Sequence, residues 1–263
     1  MRFLLCFVVL GVAASGADLK DPSEPEIEEI IKKFAAKESE FAKARENYVY
    51  RQTVRTLDLD PGGGTAGKYE IVSDIIFTKD GKRSEKIVRA PANTLKNFSL
   101  SPEDEQDLRN VQPFVLTSKD VDQYYVRYLG RETLDEISCY SFAVKPKKME
   151  AGKRYFHGIV WVDDKDLQIV KSYGKGVGIL KGKGDQAFPK FETYREQIDG
   201  KYWFPTFTTA NDTLQFASGV TAKIKMTVKY EDYKQFKSDV NIIFGDPVEP
   251  AKPEAPKPEP KKP

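Results

Sequence analysis

Few side chains in this sequence are equipped for proton or metal chemistry. His157 is the only histidine, and Cys6 and Cys139 are the only cysteines. That excludes zinc fingers, His-rich metal sites and a disulfide framework. A hydrolase would have to use His157 as its general base. This residue lies between Phe156 and Gly158 in a strand-like stretch, with no Gly-x-Ser-x-Gly elbow anywhere in the chain. It reads as a sheet histidine, and hydrolysis ranks last among the functions considered.

Asp163, Asp164 and Asp166 crowd one polar segment. A calcium loop of the EF-hand type needs a glycine at its sixth place and a glutamate at its twelfth. Here the glycine is missing and the segment is too short, so the trio reads as a solvated hairpin tip. Gly174-Lys175-Gly176-Val177-Gly178 and Gly182-Lys183-Gly184 have the look of phosphate cradles. A P-loop closes on Gly-Lys-Ser/Thr and opens a helix. Neither feature follows, and both stretches read as flexible basic loops. Lys147, Lys148, Lys153 and Arg154 are interrupted by Glu150. With 42 Lys and Arg against 40 Asp and Glu, the net charge of +2 exerts no general pull on nucleic acid. The chain is read as a non-enzyme that needs no cofactor and no metal.

The elements that remain are built for burial. Residues 1–17 have the three parts of a secretory signal peptide. Met1-Arg2 is the basic start, residues 3–12 are almost wholly apolar, and Ala13-Ala14-Ser15-Gly16-Ala17 is a small-residue block with the expected cut after Ala17. The apolar run is too short to span a bilayer comfortably, and no longer one follows. The mature chain is expected to be soluble and either periplasmic or secreted. Cys139 is then its single cysteine, expected as a small buried hydrophobe.

Ser23 followed by Glu26 has the form of a capping box. Ile27, Ile30, Ile31, Phe34 and Phe41 then recur at helical spacing, which predicts an amphipathic helix of about 20 residues. Everything after it is strand-rich, with hairpin signals at Asp80-Gly81 and Asp199-Gly200. The clearest alternation is Ala222, Ile224, Met226, Val228 and Tyr230 against Lys223, Lys225, Thr227, Lys229 and Glu231. One face is apolar and the other wet. Roughly ten strands in hairpin order predict a mainly β (α+β) fold, a large curved antiparallel sheet. Residues 247–263 hold seven prolines among Lys and Glu, an extended tail with no means of building a core. The domain is therefore expected over residues 18–246.

Aromatics are 12 % of the chain, and several strands are apolar on both faces. A curled sheet must fill its inner face or enclose a cavity. Alternation alone places Tyr50, Ile71, Phe77, Tyr140, Phe142 and Trp161 as candidate cavity residues, with a one-residue slip reversing each face.

Over roughly residues 24–236 the pattern resembles the outer-membrane lipoprotein-sorting (LolA-like) family. The likeness includes the helix running into Tyr48-Val49-Tyr50-Arg51-Gln52. It also includes Tyr128-Leu129-Gly130-Arg131-Glu132-Thr133-Leu134-Asp135, Cys139-Tyr140, Val144-Lys145-Pro146, Trp161-Val162-Asp163 and Leu167-Gln168-Ile169-Val170-Lys171. The resemblance implies a half-open β-barrel closed by helices, whose apolar cavity holds lipoprotein acyl chains or other lipids. It gives no ligand-gripping residue motif. Related members act as periplasmic stress regulators, so the alternative expectation is a module that docks envelope proteins through its loops and tail.

Overall fold

The computed structural model describes residues 21–78, 81–179, 189–216, 219 and 221–236. The expected leader, the expected tail and Gly182-Lys183-Gly184 lie outside them. Helix α1, Glu24–Ala44, opens the fold. Its capping box is formed: the Ser23 N–H donates to Glu26 Oε2 at 2.7 Å and the Ser23 hydroxyl does so at 2.6 Å.

Among the described residues ten strands follow: β1 Tyr48–Leu59, β2 Thr65–Phe77, β3 Arg83–Arg89, β4 Tyr124–Leu134, β5 Ile137–Pro146, β6 Tyr155–Asp163, β7 Ile169–Val177, β8 Phe191–Gln197, β9 Trp203–Gln215 and β10 Thr221–Gln235. They form one antiparallel sheet in the order β3-β2-β1-β10-β9-β8-β7-β6-β5-β4. The sheet is not closed, since β3 and β4 are edges. All pairings but one join strands that are consecutive in the chain. The exception is the central seam of β1 with β10, in register at Val54 and Val228.

This order forces a long connection. The chain leaves β3 at one edge and must re-enter at β4, the other edge. Residues 90–123 make the crossing and carry a short helix, α2 Pro102–Gln106, and one π turn over Asp107–Val111. The crossing passes the ends of β1 and β2, where Thr94 donates to the Lys68 carbonyl and Asn97 to Asp58. It then runs over the inner face, where Leu108, Val111, Phe114 and Leu116 are buried in the main core.

Two covers therefore lie on the inner face, α1 and the crossing segment. Phe34 sits 5.3 Å from Phe142, ring to ring, and Phe114 stacks on Phe156 at 4.4 Å. The alternation in β10 is realised: Ala222, Ile224, Met226, Val228 and Tyr230 are all buried, and Lys223, Lys225 and Lys229 are exposed.

Two buried ion pairs fasten the covers. Glu38 of α1 accepts from Arg195 of β8 at 3.1 Å and from the Ile169 N–H of β7 at 3.0 Å, and Arg195 also donates to the Phe114 carbonyl. Asp107 accepts two bonds from Arg154, at 2.8 and 2.7 Å. The second pair explains a departure from expectation. Gly174 and Gly176 lie not in a loop but inside strand β7. A Cβ on Gly176 would fall 2.0 Å from Asp107 Oδ2, and one on Gly174 would fall 2.4 Å from the His157 carbonyl oxygen. The glycines mark the places where β7 has no room for a side chain on its inner face.

Candidate functional site

The three acidic residues of the β6–β7 turn each turn to protein donors. Asp163 Oδ1 accepts from the N–H groups of Lys165 and Asp166. Asp164 accepts from Arg131 and Ser138, and Asp166 from the indole of Trp203 and the amide of Gln197. They brace a turn rather than converge on a common point, and the tip is tied to the protein instead of being merely solvated. His157 is exposed on the outer face. Partial desolvation, with Lys145 and Lys175 beside it, holds its pKa below the ordinary imidazole value, so it is neutral at pH 7. No hydroxyl or carboxylate hydrogen-bonds to it among the described residues. Cys139 is fully buried, and burial pushes its thiol up to about 12. That is no setting for a nucleophile.

The six candidate cavity residues are divided by the structure. Phe142 is fully buried beneath Phe34 and is part of the solid core. Trp161 lies on the opposite, outer face. It packs with Cys139 and Val170 and donates to Glu132, apart from the cluster that holds Phe142. The reason is the pleat: Val160 pairs with Phe142, which sends the next residue of β6 through to the other side. Tyr140 lines a hollow of about 470 Å³ with Asp21, Glu26, Glu29, Lys33 and Arg131. Five of the nine residues lining that hollow are charged.

Tyr50, Ile71 and Phe77 do come together on one face. Tyr50 of β1 pairs with Ile75 of β2, and Val54 pairs with Ile71. Period-two geometry then puts Tyr50, Val54, Ile71, Ile75 and Phe77 on the inner side of the first strands. Here the covers leave space. One hollow of about 200 Å³ opens at the C-terminal end of α1, walled by Phe41, Tyr50, Phe77, Phe204, Tyr230 and Tyr233. A second, of about 270 Å³, is lined by Val54, Tyr69, Ile71 and Leu108 beside Gln52, Glu85 and Glu105. Arg109 of the crossing segment lines both. Ligand pockets run from roughly 300 Å³ upward. Neither hollow reaches that alone.

The aromatic walls are fixed in place. Tyr50 stacks on Tyr233 at 5.0 Å, and Tyr233 donates its hydroxyl to the Pro205 carbonyl at 2.6 Å. Burial pushes the Tyr233 phenol well above its ordinary pKa, so it stays a neutral donor. Three arginines, Arg45, Arg83 and Arg109, also line the first hollow. Sequence reasoning missed all three. Arg45 follows directly on an amphipathic helix whose other faces are full of charge, and nothing in that pattern sets it apart.

The chain matches no protein-family model and none of the curated proteins. Among solved structures it is similar to a DUF1329 family protein from Desulfovibrio piger, at 14 % identity over 81 % of this chain and 94 % of that one, with a TM-score of 0.39. It is similar to a LolA superfamily protein from Nitrosomonas europaea, at 13 % identity over 80 % and 93 %, TM-score 0.34. A third is an outer membrane lipoprotein-sorting protein domain from Vibrio parahaemolyticus, at 11 % identity over 78 % and 93 %, TM-score 0.34. The likeness is one of fold. Among the described residues, no helix is long and apolar enough to cross a membrane.

Proposed function

We propose that the protein is a non-enzymatic carrier or binding protein for lipids or lipoprotein acyl chains in the periplasm. The observation that carries this reading is the pair of hollows on either side of Arg109, between the inner face of β1–β2 and the crossing segment; joined past Arg109 they would form one trough. Under α1 and the later part of the crossing segment, Phe34, Phe114, Phe142 and Phe156 are buried in the main core. A hydrocarbon chain entering such a trough leaves water at a gain of ~0.8 kcal/mol per methylene. Tyr50, Ile71 and Phe77 are the proposed contacts. Phe142 would support them from the core, and Trp161 would take no part.

The test is direct. The full chain is purified from cells without detergent, extracted with organic solvent, and the extract analysed by mass spectrometry. Lipid is expected in near-stoichiometric amount, and a fluorescent fatty acid should bind and be displaced by it. Phe77→Trp, which fills the first hollow, should weaken that binding several-fold. The absence of both co-purified lipid and probe binding would end the proposal.

The edge strands favour a second reading. Ile87 and Val88 on β3 are 58 % and 50 % exposed, and unpaired edges are places where another chain can add. An envelope protein docked there should be captured by the full chain and lost when residues 247–263 are removed, if the tail is part of the contact.

A further inference from the structure

The hollow at the end of α1 has a charge pattern that a plain hydrocarbon does not require. Three arginines line it, and none of its lining residues is acidic. Two of them have partners within the chain. Arg83 donates to Glu85 at 2.9 Å and to Gln52 at 2.9 Å. Arg109 donates to Glu105 at 3.1 Å and lies 3.6 Å from Glu85.

Arg45 has none. Its Nε is buried and unbonded, and its guanidinium makes no hydrogen bond or ion pair among the described residues. It rests against the Phe41 ring, 5.9 Å from the centroid. The carboxylates that could reach it are engaged or turned aside. Glu38 is held by Arg195 and the Ile169 N–H. The Glu46 carboxylate lies over Gly81, within 3.1 Å of where a Cβ would stand. A guanidinium is a planar fork of donors suited to a carboxylate or phosphate. Arg45 is half-buried; leaving its buried Nε without an acceptor is costly, and no described residue supplies one.

We propose that this hollow is the head-group site of the trough: the anionic oxygens of a single-chain amphiphile dock on Arg45, and its hydrocarbon leaves along Tyr50 and Phe77. The inference rests on the lipid-binding reading and narrows it to anionic, single-chain lipids. The first hollow has room for a head and the first methylenes. The chain then passes Arg109 into the second hollow, toward Ile71. Cationic amphiphiles are repelled by Arg45, the arginine without a carboxylate partner, and uncharged ones leave it unsatisfied.

Calorimetry on the full chain tests this with four twelve-carbon probes: laurate, dodecyl phosphate, dodecanol and dodecyltrimethylammonium. Laurate or dodecyl phosphate should bind at least tenfold more tightly than dodecanol, about 1.4 kcal/mol, and the ammonium should bind least. The two anions compared with each other tell a carboxylate head from a phosphate head. Arg45→Met should erase the preference for anions while dodecanol binding stays, and Arg45→Lys should restore part of it. Equal binding of all four probes, or a preference that survives Arg45→Met, would overturn the head-group site and leave the carrier standing. Binding of none would overturn both. Should Arg45→Met fail to fold, the wild-type protein with carboxyl-labelled laurate decides by NMR. A bound carboxyl that titrates below free laurate supports the site, and one that titrates above it refutes it.

Discussion

Asp58 shows how a single carboxylate fixes the start of the crossing segment. It sits at the end of β1 with no exposed surface. Burial works to raise its pKa, but the side chain and N–H of Asn97 and the N–H of Lys96 all donate to it, and together they hold it below the usual carboxylate value. A group whose folded pKa is depressed contributes stability above its unfolded pKa and loses it as pH falls through the folded one. Asp58→Asn should therefore cost about 1.5–3 kcal/mol at pH 7, the range for hydrogen bonds to a charged group. The gap to wild type should narrow steadily below pH ~4. Urea titrations at pH 7, 4 and 2.5 measure it, and a pH-independent gap would contradict this account. Among single residues, legibility in the sequence was uneven. Ser23 and Glu26 declared the helix start because the capping box has a fixed spacing. Alternation puts Trp161 on the cavity side and it lies on the outer one, because β6 is apolar on both sides and its pattern does not say which face is inner. Arg45 was invisible, since its meaning lies in the partners it lacks.

At the scale of elements, α1 is held by more than its apolar stripe. Glu38 interrupts that stripe with a charge that is wholly buried and joins the helix to β7, to β8 and, through Arg195, to the crossing segment. Removing one partner leaves the other charge uncompensated, so Glu38→Ala should destabilise the fold by about 3–5 kcal/mol. The double variant Glu38→Met with Arg195→Met should recover most of that, because well-packed apolar replacements of buried pairs are often neutral. Chemical denaturation of the two variants against wild type checks this, and equal losses in both would show that the hydrogen bonds to Ile169 and Phe114 matter more than the charges. Strand β10 was readable residue by residue, since half-buried strands write their burial as alternation. Strand β7 was not. Its glycines lie where Asp107 and Phe156 press on the sheet, and a tertiary contact of that kind leaves only a gap in the hydrophobic pattern. The crossing segment carries Leu108, Val111, Phe114 and Leu116 into the core without a regular period, so no periodicity announced it.

At the scale of the molecule, protection should fall from the middle of the sheet outward. Strands β1 and β10 are paired on both sides and covered on the inner face, and β3 has a free edge and an exposed end. Native-state hydrogen exchange should find the slowest amides in β1 and β10 and much faster ones in β3. Uniform protection across β3 and β1 would show that the first three strands open only with the whole. The overall architecture was legible as hairpin order and strand number. The seam was not, because pairing between the first and last strands leaves no local trace.

That seam has a consequence for how the molecule is assembled. The last of the described strands, β10, occupies the middle of the sheet, not its border. Until it arrives, β1 and β9 each present a raw flank of unpaired backbone, and the newborn chain is two unfinished halves tethered by the crossing segment. A chain halted before residue 221 would not be a slightly shorter protein. It would have four open borders instead of two, and would be prone to stick to its neighbours.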